Sequence, residues 1–322
     1  HLDSDMMTGY GFAAVRDGAN YRSIGNNQGT NSHSDFSVYF GIGTGHGHND
    51  ALNLGIDAFG LNMAPDLGYP EDTGTQPNRI QWVSKPLSHN TVMVDGKPQV
   101  ELETAGTPHH FDDSGRVKII DVDANKAYPQ TKEYRRTVVM VEADDENEVF
   151  YGVDFFRIVG GNDHIYSFHS QSDEIFETEG LNLVPQTDEK GNYIGTYASP
   201  DVPWGKDPNT IDTLWSVDML KYPPGFTWLD HVRRDSVPEA EFSVDFKVKD
   251  FRRVLGVQED LHLRMTMLND FTLDEVAIAQ GKPPQVNTKY IPYLEYVLAR
   301  RTGENLNTLF TTVFEPYKKT RY

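Results

Sequence analysis

Apolar and polar residues alternate with a period of two through most of this chain, the signature of strands with one face buried and one wet. The alternation, with β-branched and aromatic enrichment, predicts strands over residues 36–42, 90–95, 116–122, 135–142, 149–158, 164–170 and 261–268. Between them lie reversal sequences: Asp95-Gly96, Asp113-Ser114-Gly115, Gly160-Gly161-Asn162-Asp163 and Lys190-Gly191-Asn192. Residues 50–59 could be taken for a helix. However, Leu52, Leu54, Ile56 and Ala58 alternate with Asn53, Gly55 and Asp57, which predicts a half-buried strand. Helix signals are otherwise sparse. Residues 201–210, with Pro203 and Pro208, predict a long loop, and a sub-boundary is conceivable near 223–236, after Pro223-Pro224. No flexible linker, fixed-period repeat or low-complexity tract interrupts the pattern. Residues 1–322 are therefore expected to form one large all-β domain, an antiparallel sandwich.

Composition narrows the chemistry. The 48 acidic against 29 basic residues give a formal charge of −19, so neither nucleic acid nor an anionic membrane is an expected partner, since both need a basic surface. An acidic ligand would have to meet a local cluster of cations, which directs attention to Arg79 and His46. The chain has no cysteine, so thiolate chemistry is excluded and any metal must take His and carboxylate ligands. No apolar run approaches the roughly 20 residues that span a bilayer. The sequence opens at His1 rather than Met, and an upstream domain is expected.

Chemistry concentrates in Gly45-His46-Gly47-His48-Asn49-Asp50, followed by Asp66-Leu67-Gly68-Tyr69-Pro70 and Ser88-His89-Asn90-Thr91. In an extended strand His46 and His48 would share a face, roughly 6.5 Å apart. That is too wide for one metal and suits two roles, one His holding a metal and the other working beside it. His48, Asp66 and His89 are a ligand set of the kind a sheet protein assembles from separate elements, although such residues also occur in plain hydrogen-bond networks. Asp50 is a fourth ligand, a carboxylate orienting an imidazole, or a cap.

These blocks, in order with Asn78-Arg79, Asp95-Gly96 and Gln99, resemble the heparinase II/III-like polysaccharide lyases, densely from residue 45 to 99 and diffusely beyond. The resemblance implies a β-supersandwich that follows an N-terminal α/α toroid missing from this chain, with the active cleft between them. It implies zinc on His48, Asp66 and His89, His46 facing the cleft as base or neutraliser, and Arg79 near the substrate carboxylate. It further implies β-elimination on a uronate-containing anionic polysaccharide in a secreted or periplasmic enzyme. Alginate is the first expected substrate and a heparin- or chondroitin-type glycosaminoglycan the second. The family's principal tyrosine comes from the toroid, so Tyr69 is only a candidate for catalysis here.

Asn90 and Trp82 are candidate substrate contacts, the first alternatively orienting His89 and the second alternatively a core residue. His109-His110, in an expected loop, and His164 and His169, on opposite strand faces, are given structural roles. So are the Arg135-Arg136 and Arg233-Arg234 pairs, as solvated or salt-bridged charges. Two rival functions stand beside the lyase. A non-haem iron oxygenase would use two His and one carboxylate with open coordination positions, and a carbohydrate-binding sandwich would bind sugar without turnover.

Overall fold

The computed structural model describes residues 3–17, 34–43, 47–68, 77–144, 149–209, 219–251, 255, 259–283 and 291–321. Strands dominate these residues and every pairing is antiparallel. A five-stranded sheet runs in chain order through β1 (Asp5–Met7), β2 (Phe12–Asp17), β3 (Ser34–Tyr39), β4 (Asn53–Ala58) and β5 (Leu61–Asn62). The remaining strands are β6 (Val92–Val94), β7 (Thr107–Asp112), β8 (Val117–Asp123), β9 (Glu133–Asp144), β10 (Val149–Val159), β11 (Asp163–His169), β12 (Ile175–Glu179), β13 (Val184–Pro185), β14 (Leu229–Asp235), β15 (Glu241–Val248), β16 (Leu261–Leu268), β17 (Glu275–Gly281), β18 (Leu294–Thr302) and β19 (Asn307–Lys318). They form an eight-stranded sheet, β12-β15-β16-β19-β10-β9-β8-β7, and a six-stranded sheet, β13-β14-β17-β18-β11-β6. Strands from before and after residues 223–236 thus mix in both larger sheets.

The alternation explains the layering. Along β10, Phe150, Gly152, Asp154, Phe156 and Ile158 point inward and their neighbours outward. The inner face of this wide sheet is covered by two partners. Phe36 of β3 packs on Phe150 and Gly152, whereas Tyr166 and Phe168 of β11 pack on Phe156, Phe310 and Phe314. One continuous core results. The six-stranded sheet is buried on both faces, so β18 reads as an unbroken apolar run, Tyr296-Val297-Leu298-Ala299. Its outer face is covered by non-strand segments that carry Trp82, Leu87, Tyr197, Phe226 and Trp228.

Every strand expected from the sequence is present with ends moved by a few residues, including 50–59, which is β4. Residues 201–209 carry no strand, as expected. Other elements went unforeseen: strands β1, β2, β5, β7, β12–β15 and β17–β19, and a π-helical turn, Arg79–Val83, followed by a short 3-10 turn, Pro86–Ser88. His109-His110 also depart from expectation. They lie in β7 rather than a loop, and His109 pairs with Asp123 at 2.6 Å.

Candidate metal centre and its cleft

The chemistry-bearing blocks sit on connections where the three sheets meet. Residues 47–52 lead from β3 to β4, residues 63–68 leave β5, and residues 84–91 lead into β6. His48 lies on such a connection, not in the extended strand expected for it. Each block has a local reason for its sequence. Asp66 Oδ1 accepts the Gly68 N–H at 2.7 Å, and Gly68 adopts φ +68, which favours glycine; this turn is the reason for Asp-x-Gly. Ser88 Oγ donates to Lys85 O at 2.9 Å and Ser167 Oγ of β11 donates to Leu87 O at 2.8 Å, so the turn before His89 is fastened to the sheet beneath it.

His48, Asp50, Asp66 and His89 converge, each offering a ligand atom within 4.8 Å of the others. His89 Nδ1 lies 3.1 Å from Asp66 Oδ2 and 3.9 Å from Asp50 Oδ2, and His48 Nδ1 lies 3.6 Å from Asp66 Oδ1. Ligand atoms about 2.0–2.2 Å from a tetrahedral zinc stand about 3.3–3.6 Å apart, and the separations here, 3.1 to 3.9 Å, bracket that spacing. His89 is fully buried, and its Nε2 faces the Val83 carbonyl at 3.0 Å. A carbonyl only accepts, so Nε2 carries the proton and Nδ1 turns to the two carboxylates, either protonated or as a ligand. Asp50 Oδ1 is buried with no hydrogen-bond partner among the described residues, an arrangement that a bound cation relieves. The donor set therefore fits a metal.

Charges within the cluster are strongly coupled. Burial opposes the charged form of His89, yet the Asp66 carboxylate, helped by Asp50 and the Val83 carbonyl, raises its pKa. Burial likewise pushes Asp66 up, but His89 and His48 hold it well below the usual carboxylate range. For Asp50 burial wins over His89, and its carboxyl is raised.

Asp66, with its side chain 41% exposed, is the open side of the cluster. From it a cleft of about 670 Å³ runs over the outer face of the five-stranded sheet, past Tyr10, Tyr39, Asn53, Asp57 and Asn62. Sequence reasoning missed these lining residues. For Asn53 and Asp57 the signal was the polar phase of the β4 alternation, read only as the wet face.

Of the expected site residues, His48, Asp66 and His89 come together, with Asp50 as fourth. His46 and Tyr69 lie outside the described residues. Arg79 is partly exposed at the start of the π-helical turn. Two expectations are corrected. Trp82 is 1% exposed, packs on Tyr296 and donates its Nε1–H to Lys282 O, so its ring cannot stack on a sugar. Asn90 is equally buried and ties elements together: its Nδ2 donates to Leu54 O at 3.2 Å and its Oδ1 accepts the His169 N–H at 2.9 Å.

Comparison with known proteins fits this geometry. The family model described as Heparinase II/III-like, C-terminal, matches residues 37–261. No curated protein matches the chain in sequence. Among solved structures, the heparan sulfate lyase HepC from Pedobacter heparinus is similar in fold, with TM-score 0.60 and 14% identity, covering 100% of this chain and 37% of that one. A heparinase III is similar at TM-score 0.58 and 12% identity, covering 99% of this chain and 37% of that one. The chain therefore spans little more than a third of these enzymes. With most of its length matched by the family model, this β-sandwich belongs to the heparinase II/III-like family, in the part that the model describes as C-terminal.

Proposed function

We propose that this chain is the metal-bearing β-sandwich of a polysaccharide lyase that acts on a uronate-containing anionic polymer. The observation that carries the proposal is the buried His48–Asp50–Asp66–His89 cluster opening onto a cleft, in a chain of this family. In β-elimination a base removes the proton at C5 of the uronate, the C4–O bond to the neighbouring sugar breaks, and a C4–C5 double bond remains. The C5 proton is barely acidic until the adjacent carboxylate is neutralised, which stabilises the enolate-like intermediate. Arg79 is proposed to pair with that carboxylate, His46 to serve as base or neutraliser, and Tyr69 to return a proton to the leaving oxygen. Zinc held by His48, Asp66 and His89, with Asp50 as fourth donor, supplies a fixed positive charge that orders these segments. An N-terminal α/α toroid of the same protein is the proposed partner that completes the cleft. Action on a polymer outside the cytoplasm makes a secreted or periplasmic location part of the proposal.

Alginate remains the first proposed substrate and a heparin- or chondroitin-type glycosaminoglycan the second, a reading supported by the name of one solved relative, a heparan sulfate lyase. A carbohydrate-binding domain without turnover is the second reading, favoured by the exposed Tyr10 ring beside Tyr39 along the cleft. The iron oxygenase is less well supported, because Asp50 supplies a second carboxylate beyond the two-His, one-carboxylate triad. The deciding experiment incubates the full-length protein with alginate, heparan sulfate and chondroitin sulfate and follows the ultraviolet absorbance of unsaturated uronate. Product from at least one polymer, lost in His46→Ala, is expected. Folded, zinc-loaded protein that forms no product from any of them would overturn the lyase reading.

A further inference from the structure

Directly beneath the cluster, in the inner face of the eight-stranded sheet, lies a charged pair fully enclosed by the core. Arg136 of β9 and Asp154 of β10 are 0% exposed and form a bidentate pair, Nε to Oδ1 at 2.8 Å and Nη2 to Oδ2 at 2.7 Å. Tyr166 Oη also donates to Asp154 Oδ2, at 2.6 Å. The remaining guanidinium nitrogen, Nη1, donates to Leu52 O and to Asn90 O, both at 2.5 Å. Leu52 is two residues beyond Asp50, and Asn90 is next to His89. One nitrogen on one sheet thus holds two of the three ligand-bearing segments, one from each of the other two sheets.

A second buried side chain grips the same segment one residue earlier, at Ala51. Gln99 Oε1 accepts the Ala51 N–H at 2.7 Å while Gln99 Nε2 donates to Ala51 O at 3.0 Å, and Thr91 Oγ1 donates to that same carbonyl at 2.9 Å. Leu52, between these grips, is held at φ +64, a conformation a leucine adopts only when its surroundings impose it.

We infer that Arg136, anchored by Asp154 and assisted by Gln99, is the positioning residue of the metal centre, fixing where Asp50 and His89 stand. This rests on reading the cluster as a metal centre. A buried ion pair is a poor stability device: replacing both partners by apolar groups of similar size is commonly neutral or stabilising, because two desolvated charges disappear together. What such a replacement removes here is the tie from Nη1 to Leu52 and Asn90, together with the bonds of Tyr166 Oη to the pair. Stability and site geometry therefore separate in one variant, Arg136→Met/Asp154→Leu.

The test uses the full chain and two readouts: zinc affinity by competition with a chromogenic chelator, and amide hydrogen exchange. The reporting amides are those of Leu52, Leu54 and Asn90, which bond to Tyr39 O, Asn90 O and Asn53 Oδ1. The double variant should unfold as cooperatively as the wild type. It should bind zinc at least about tenfold more weakly, in the range found when groups behind metal ligands are removed. Exchange at the three reporting amides should be at least about tenfold faster, with β16 amides unchanged. Gln99→Met, which leaves the ion pair intact, should weaken zinc binding in the same direction and loosen Ala51, and it decides alone if the double variant does not fold. Wild-type zinc affinity together with wild-type exchange in the folded variants overturns the inference. Wild-type protein that binds no zinc refutes the metal reading instead, and the exchange data then decide the clamp.

Discussion

The two nitrogens of His89 are the smallest unit at which function is written into this fold. Val83 takes one N–H and thereby aims the other nitrogen at Asp66 and Asp50. Nearby His169 shows the opposite use of a buried imidazole. It donates to Pro65 O at 2.8 Å and packs on Tyr296, and burial pushes its pKa down to about 4. Its charged form is thus disfavoured in the fold but free to form in the unfolded chain, so its contribution to stability is intact above about pH 6.5 and is lost as pH falls toward 4. The loss reaches about 3 kcal/mol. Asp35 titrates in the same window with opposite sign, since burial raises it to about 6 against the pull of Arg16. The comparison to make is therefore between wild type and His169→Gln: urea unfolding at pH 7 and pH 5 should show a smaller drop in the variant, and equal drops would contradict the assignment. At this scale the expected salt bridges form at both arginines, but in different places: Arg135 pairs with Asp121 at the surface and Arg136 with Asp154 in the core, a burial that went unread. Phase along β9 held the distinction, for Tyr134, Arg136, Val138 and Met140 share the inward side. An arginine in the apolar phase of a strand needs a buried partner, and Asp154 holds the corresponding phase in β10.

Among elements, the strands supply the frame and their connections supply the ligands. The five-stranded sheet is registered on the eight-stranded one where Phe36 fills the space left by Gly152; a Cβ at Gly152 would fall 2.3 Å from the Phe36 ring. Gly152→Val should accordingly destabilise the chain by about 1–3 kcal/mol. Pairing it with Phe36→Ala should recover part of that loss, because the two side chains compete for one space. Urea midpoints of the two variants check this, and an unchanged midpoint for Gly152→Val would mean the two sheets do not meet there. Period-two alternation made β3, β4, β6, β8–β11 and β16 legible, since one wet face per strand is what it encodes, and missed the other strands. It could not show the layer that covers the outer face of the six-stranded sheet, because Trp82, Tyr197 and Trp228 lie in segments without periodicity. That omission is also why Trp82 was expected in the cleft: a tryptophan on a loop is buried or open according to what lies above it, and only tertiary structure supplies that.

For the whole molecule, three sheets converge on one seam, and the seam is where His48, Asp50, Asp66 and His89 meet. The ligand blocks were legible because His and carboxylate residues, the donors open to a chain without cysteine, concentrate in them, and because their order resembles a known family. The cleft was not legible, since it belongs to a sheet surface assembled from β2, β3, β4 and β5. With a net charge of −19, the anionic polymer proposed as substrate would have to meet local cations. The central claim is thus that the seam holds one zinc ion, and elemental analysis of the full-length protein after dialysis tests it most directly. The predicted result is one zinc per chain, lost in His89→Ala while the sandwich remains folded. Iron in its place, or no metal in folded wild-type protein, would contradict the account.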